Sequence, residues 1–319
     1  MRGNMLLGLA GSVGKGVMRE RSDNAVLAIL ISVLALVLFD LMGLIIKHLS
    51  PRYSAAELSA YRNLFGLVPS LIALWMTASW REAGRPMRIR QWRLAALRGV
   101  AVTFAQFMFY LSLGIMAFAT ATTISYTTAL FTTALAVPIL RERVGWVRWS
   151  AVAVGFVGVV MILRPGSDAF SWALLLPVGA SALYAFSGVT ARLIDPEVPT
   201  PLFNLYSSVI AAAGSFTLAI SIGGFTPVAS TSDLAFIVLM GMFGGSAVLC
   251  LVVAYRMTEP SNLAPFSYFG IPIAFFLGWV FFAEAPVDDL WPGALLIVIG
   301  GLMIVFRERG LRRPKGPGL

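Results

Sequence analysis

Cysteine and histidine are almost absent from this chain: its 319 residues hold one of each, Cys250 and His48. With Cys250 alone, no intrachain disulfide can close and no cysteine cluster can hold a metal. With His48 alone, at the edge of an apolar run, there is no histidine metal set and no Ser-His-Asp triad. Charged residues are scarce too, at 12% of the chain, about half the share of a soluble domain, so there is too little polar surface to keep the chain in water. The net charge is +9, but its basic residues sit in short connections and at the ends. That is the layout of the positive-inside rule and argues against nucleic acid as a partner. The stretch Gly11–Gly16 lacks the spacing of a phosphate-binding loop and follows no strand.

Apolar residues are what the chain has in quantity, at 58%, with 22 Phe, 8 Trp and 30 Gly and a mean hydropathy of +0.84. Runs of spanning length fall at 26–47, 56–77, 94–114, 117–139, 147–163, 171–191, 201–222, 233–255, 260–282 and 291–306, which predicts an all-α polytopic membrane protein of ten helices. The early apolar run Met5–Ala10 is too short to span. The first span has no small-residue cleavage site after it, so it reads as retained, not as a signal peptide. The second and fourth connections and the tail carry the arginines, among them Arg81, Arg88, Arg90, Arg141, Arg148 and Arg307. All of these lie on one side if both termini are cytoplasmic, and the expected location is a cell inner membrane with the termini so placed.

The second half repeats the first. Tyr126 and Tyr268, Glu142 and Glu284, Trp149 and Trp291, and Gly158 and Gly300 are each 142 positions apart, while Phe39, Gly43 and Lys47 answer Tyr184, Gly188 and Arg192 at a spacing of 145. Five spans per copy is an odd number, so the second copy enters the membrane inverted, the arrangement that supports alternating access. The expected organisation is a cytoplasmic segment 1–24, repeats over 25–166 and 167–306, and a basic cytoplasmic tail 307–319.

The stretch Thr122–Gly166, with its glutamate after the fourth span, its glycine-rich fifth span and its closing Arg164–Pro165–Gly166, resembles the EamA branch of the drug/metabolite transporter superfamily. Phe39–Asp40 with Lys47, followed by Tyr61–Arg62, is similar to the subgroup of S-adenosylmethionine and riboflavin carriers. The resemblance covers 25–306 and implies a ten-helix metabolite carrier without naming its cargo or its direction. It departs from the pattern in the second copy, where Ala283, Ala285 and Pro286 surround Glu284 and no Pro–Gly closes the last helix.

An isolated carboxylate in hydrocarbon is costly, so Asp40 in the middle of the first span is a candidate for cation binding or proton uptake; the other reading is a structural pair with Arg62 or Lys47. Lys47, two turns on, reads as a snorkelling end residue. Arg62 either holds an anionic group of the cargo or clamps to Glu57 or Asp40. Gln106, Tyr110, Tyr126, Tyr184, Tyr268 and Trp279 are candidate lining groups, since metabolite cavities join aromatic walls to a few polar atoms. Pro138, Pro260, Pro265 and Pro272 predict that the fourth and ninth spans are irregular, with Pro272 freeing a carbonyl. Glu142 and Glu284 read as end caps or gating groups. Gly155/Gly158 and Gly241/Gly245 read as helix contacts.

The expected function is secondary transport of a small organic solute by alternating access, best matched to a cation or zwitterion such as S-adenosylmethionine, an amino acid or an amine, by exchange or with protons as the coupling ion. The alternative is an exporter of drugs or other metabolites, riboflavin-like compounds included. The partners are then the solute and membrane lipid, with no metal or cofactor, in a monomer or homodimer. A channel requires a continuous polar lining and an enzyme an intramembrane acid/base pair. The spans offer only scattered polar groups.

Overall fold

The structure is a computed structural model that describes residues 4–82, 84, 87–141, 144–165, 171–195, 198, 200–257, 263 and 266–312. Its helices are α1 (Asn4–Leu49), α2 (Ala55–Met76), α3 (Ala78–Glu82), α4 (Trp92–Ile115), α5 (Phe118–Ser125), α6 (Thr128–Leu140), α7 (Trp146–Leu163), α8 (Leu175–Thr190), α9 (Thr200–Ile222), α10 (Thr231–Met257), α11 (Gly270–Phe282), α12 (Val287–Leu290) and α13 (Gly293–Arg312). The spanning segments are helical because a lipid-embedded chain must satisfy its own backbone. The result is an all-α, polytopic membrane protein.

Among the described residues, seven segments are long and apolar enough to cross a membrane: Val26–Leu49, Trp92–Ile115, Phe118–Leu140, Trp146–Leu163, Trp172–Leu193, Leu202–Ile222 and Thr231–Leu251. Gly270–Phe282 and Gly293–Phe306 are shorter apolar helices. The expectation of ten continuous spans is therefore met only in part. The second span, α2, is diluted by Glu57, Arg62 and Asn63, and the ninth is shortened by a break before Gly270.

Helix packing follows the repeat. Exchanging the two halves turns α1 against α10 into α8 against α4, α2 against α10 into α9 against α4, and α1 against α11 into α8 against α6. The pairs α2–α9 and α7–α13 map onto themselves. In the α7–α13 pair a Cβ on Gly158 would come within 2.5 Å of the Gly293 carbonyl, and one on Gly300 within 2.6 Å of the Ala151 carbonyl. Small residues there let two backbones touch, which is how helices associate without a hydrophobic force to drive them. Gly241 and Gly245 do the same for α10 on Phe65, Gly66 and Pro69 of α2.

The fourth span is two helices, and its break carries no proline. Tyr126 and Thr127 form a turn between α5 and α6, while Pro138 sits in the last turn of α6. The sequence there is rich in hydroxyls, and each takes a carbonyl near the turn: Ser125 Oγ donates to Thr122 O (2.6 Å), Thr127 Oγ1 to Ile124 O (2.7 Å) and Thr128 Oγ1 to Ser125 O (2.7 Å). Side chains that rebond carbonyls make a broken helix tolerable at membrane depth. From α8, Ser181 Oγ also reaches Ser125 O at 3.3 Å. The repeat mates Tyr268 and Phe269 form the same kind of turn before α11.

Candidate functional site

Connections that a membrane bundle should place at one end do meet there. Tyr53, after α1, donates to Asp233 of α10 (2.9 Å) and accepts from Ala229 N (2.9 Å), while Arg52 pairs with Asp233 at 2.9 Å. Glu57 closes a capping box with Ser54 at the start of α2, and its other oxygen accepts from Thr226 N. Both oxygens of Glu57 are thus engaged at this end, and among the described residues it makes no ion pair with Arg62. Lys47 does not snorkel outward: its Nζ meets Glu284 at 2.7 Å and donates to Met116 O at 2.7 Å. At the opposite end Gln91 joins Leu193 O and Asp195 N (3.1 and 2.9 Å), Tyr206 donates to Met87 O (2.6 Å), and Arg98 donates to Ser187 O (2.8 Å).

Between these ends lies a polar cluster drawn from α1, α2, α4, α8, α9 and the two helix breaks. Asp40 is 6% exposed and its Oδ2 has no hydrogen-bond partner in the structure. Among the described residues it makes no ion pair, so a structural pair with Arg62 or Lys47 is not what holds it. Arg62 donates Nη1 to Asn63 Oδ1 (3.1 Å) and leaves Nε without a partner. Asn63 Nδ2 in turn reaches Gln106 Oε1 (2.7 Å) and Ser215 Oγ (2.9 Å), tying α2 to α4 and α9.

The tyrosines gather around these charges. Tyr126 is within electrostatic reach of Asp40, and Tyr110 and Tyr184 are within that of Arg62. The rings of Tyr126 and Tyr268 lie 5.9 Å apart. The Tyr126 hydroxyl fills the place a side chain at Gly270 would need, and the Tyr268 hydroxyl does so at Gly301. The two breaks therefore meet each other, and the second also packs on α13.

These observations share one description: paired discontinuous helices, a pseudo-symmetric bundle and a buried polar cluster midway between its ends, as in carriers built from inverted repeats. The EamA-like transporter family model matches the chain twice, at residues 26–164 and 171–306. The chain belongs to this family.

Family membership makes it a transporter and not an enzyme. Among similar proteins, the riboflavin transporter of Rhizobium johnstonii is 36% identical over 56% of this chain and 58% of its own. The chain thus spans a little over half the length of that relative. The S-adenosylmethionine uptake transporter of Rickettsia conorii is 28% identical over 86% of this chain and 91% of its own. One solved crystal structure covers 90% of the chain and 99% of its own at a TM-score of 0.61 and 18% identity, a likeness of fold.

One expected lining residue, Trp279, and the expected irregularity at Pro272 are not part of the cluster. Trp279 is 58% exposed and shares the outer face of α11 with Phe276 and Val280, whereas Gly270, Ala274 and Gly278 form the buried face; the helical period puts it toward lipid. Pro272 falls in the first turn of α11, and the Tyr268 carbonyl it would leave open accepts from Ile271 N at 3.1 Å. It therefore neither kinks the helix nor offers a carbonyl to the cluster. Glu142, Pro260 and Pro265 lie outside the described residues. Asn63 is the central residue that sequence reasoning missed; a buried amide beside Arg62 in a spanning helix was the available signal.

Proposed function

We propose that this member of the EamA-like transporter family moves a cationic or zwitterionic organic solute, of the kind of S-adenosylmethionine, an amino acid or an amine, across the inner membrane by alternating access. The observation that carries the cargo class is the open carboxylate of Asp40. A buried carboxylate with no cation beside it needs either a proton or a positively charged guest. Asp40 then acts as the site acid, with Tyr126 and Tyr268 as aromatic walls and Arg62, held by Asn63, which Gln106 fixes in turn, as the opposite pole. Tyr110 and Tyr184 line the Arg62 side.

The packing symmetry and the double family match support ten spans in two inverted five-helix repeats, 25–166 and 167–306. In that arrangement 1–24 and 307–319 are cytoplasmic and the Lys47 end faces away from the cytoplasm. The near full-length likeness to the Rickettsia protein supports a nucleoside-bearing sulfonium cation as the first cargo to try.

A second reading has its own observation. The higher identity is to a riboflavin transporter, and two tyrosine rings 5.9 Å apart can grip a flat neutral heterocycle. Uptake into proteoliposomes preloaded with a mixed metabolite pool separates the two, with labelled S-adenosylmethionine, riboflavin, amino acids and choline each tested with and without a proton gradient. Saturable exchange of a cation, lost in Asp40→Asn, is the expected result. Riboflavin exchange that survives Asp40→Asn would favour the second reading and remove Asp40 from the site.

A further inference from the structure

Lys47 and Glu284 are joined by more than their charges. Glu284 Oε1 pairs with Lys47 Nζ at 2.7 Å while Oε2 accepts from the amide of Phe118, the first residue of α5, at 2.9 Å. A carboxylate at that position answers both an unpaired amide and the positive end of the helix. Lys47 donates to Met116 O and lies over the Phe282 ring, 5.2 Å from its centre. Two side chains thus fasten α1, the α4–α5 connection and the α11–α12 connection together. Ala283 aims Glu284 into this place: its left-handed turn brings Glu284 N onto Gly278 O at 3.1 Å.

Position and exposure suit a contact that opens. Lys47 is seven residues beyond Asp40 on the same face of α1, roughly 10 Å along the helix toward its end. The side chains are 12% and 30% exposed, so water reaches the pair from the end of the bundle and the lost attraction is partly repaid on parting. Arg52–Asp233 and Tyr53–Asp233, by contrast, join neighbours packed along their length. The same two charge types recur in the other copy of the repeat as Arg192 and Glu142.

Resting on the carrier reading above, we infer that Lys47 and Glu284 form the latch that holds this end of the protein shut, and that the pair must part before the Asp40 cluster can be reached from that side. They are positioning residues for the transport step and do not touch the cargo. The latch acts on α5, whose start it caps and whose end is the Tyr126 turn.

The test reads the latch without any cargo. In a Cys250→Ser background, Ala121→Cys places one thiol in α5, a fully buried position beneath the pair. Ala95→Cys places one at an equally buried position at the Arg98 end. Maleimide labelling of Ala121→Cys should accelerate about tenfold in Lys47→Met and in Glu284→Gln, and no further in the double variant, because two halves of one contact do not add. Ala95→Cys should label no faster. Raising salt should speed labelling at Ala121→Cys without any change at Lys47 or Glu284, which keeps the test open if those variants fail to fold.

Unchanged labelling in folded variants and in salt, multiplicative effects in the double variant, or equal acceleration at Ala95→Cys would each overturn the latch. A latch that labels as expected in a protein exchanging none of the tested solutes would leave this inference standing and sink the cargo assignment alone.

Discussion

Arg141 and Ala283, 142 positions apart, share one left-handed backbone conformation, at φ 56° and 54°, and each ends a helix of 13 residues. Neither is glycine, so each holds a conformation that costs a side chain about 1–2 kcal/mol. The two copies of the repeat therefore keep the same strained exit from corresponding helices, each just before the matched Glu142 or Glu284, although arginine stands there in one and alanine in the other.

Relieving that strain should show directly. Ala283→Gly removes the Cβ penalty, part of which returns as extra freedom in the unfolded chain, and a net gain of up to about 1 kcal/mol is expected. The measurement is the melting temperature of purified protein in detergent, which should rise.

Asp40→Asn keeps the shape of the side chain and removes its charge. The expected outcome is loss of transport of cationic solutes with normal yield and melting temperature, together with loss of any dependence on a proton gradient. Wild-type rates and an unchanged pH profile would show that the carboxylate plays no part in transport.

Asn63 holds three helices through one amide. Asn63→Leu strips Gln106 Oε1 and Ser215 of a donor and Arg62 of an acceptor, and each buried group left unpaired costs about 1–3 kcal/mol. A clear drop in melting temperature is expected, larger than that for Trp279→Ala, which faces outward and should leave both stability and transport near wild type.

Gly158→Leu forces a side chain into the backbone of α13. Overpacking of a close-fitted contact costs about 1–3 kcal/mol or more, and here the obstacle is a main-chain carbonyl that cannot rotate away. Loss of a monodisperse peak in size-exclusion chromatography is expected, whereas Gly188→Ala, with open space at the Cβ position, should behave as wild type.

Much of this architecture is legible in the chain because lipid makes the rules simple. Long apolar runs must be helices, and matched pairs such as Tyr126/Tyr268 and Gly158/Gly300 expose the duplication. Proline was a poorer guide. It pointed to irregular fourth and ninth spans, but the first break falls at Tyr126–Thr127, where hydroxyl side chains and not a proline make the turn affordable. That Trp279 faces outward is not legible in the sequence, because one aromatic in an all-apolar helix has no polar neighbours to reveal which face it occupies.

Composition and periodicity by themselves determined that this is a duplicated helical membrane protein with a rare acid in its first span, since both depend only on residue type and spacing. Which charges meet was decided by tertiary structure alone. Lys47 and Glu284 lie 237 positions apart, as do no two residues that a local rule could join, and Asp40 stays open although Lys47 is only two turns away. Ion pairing depends on distance and direction in space, and only the folding of two copies around each other sets these.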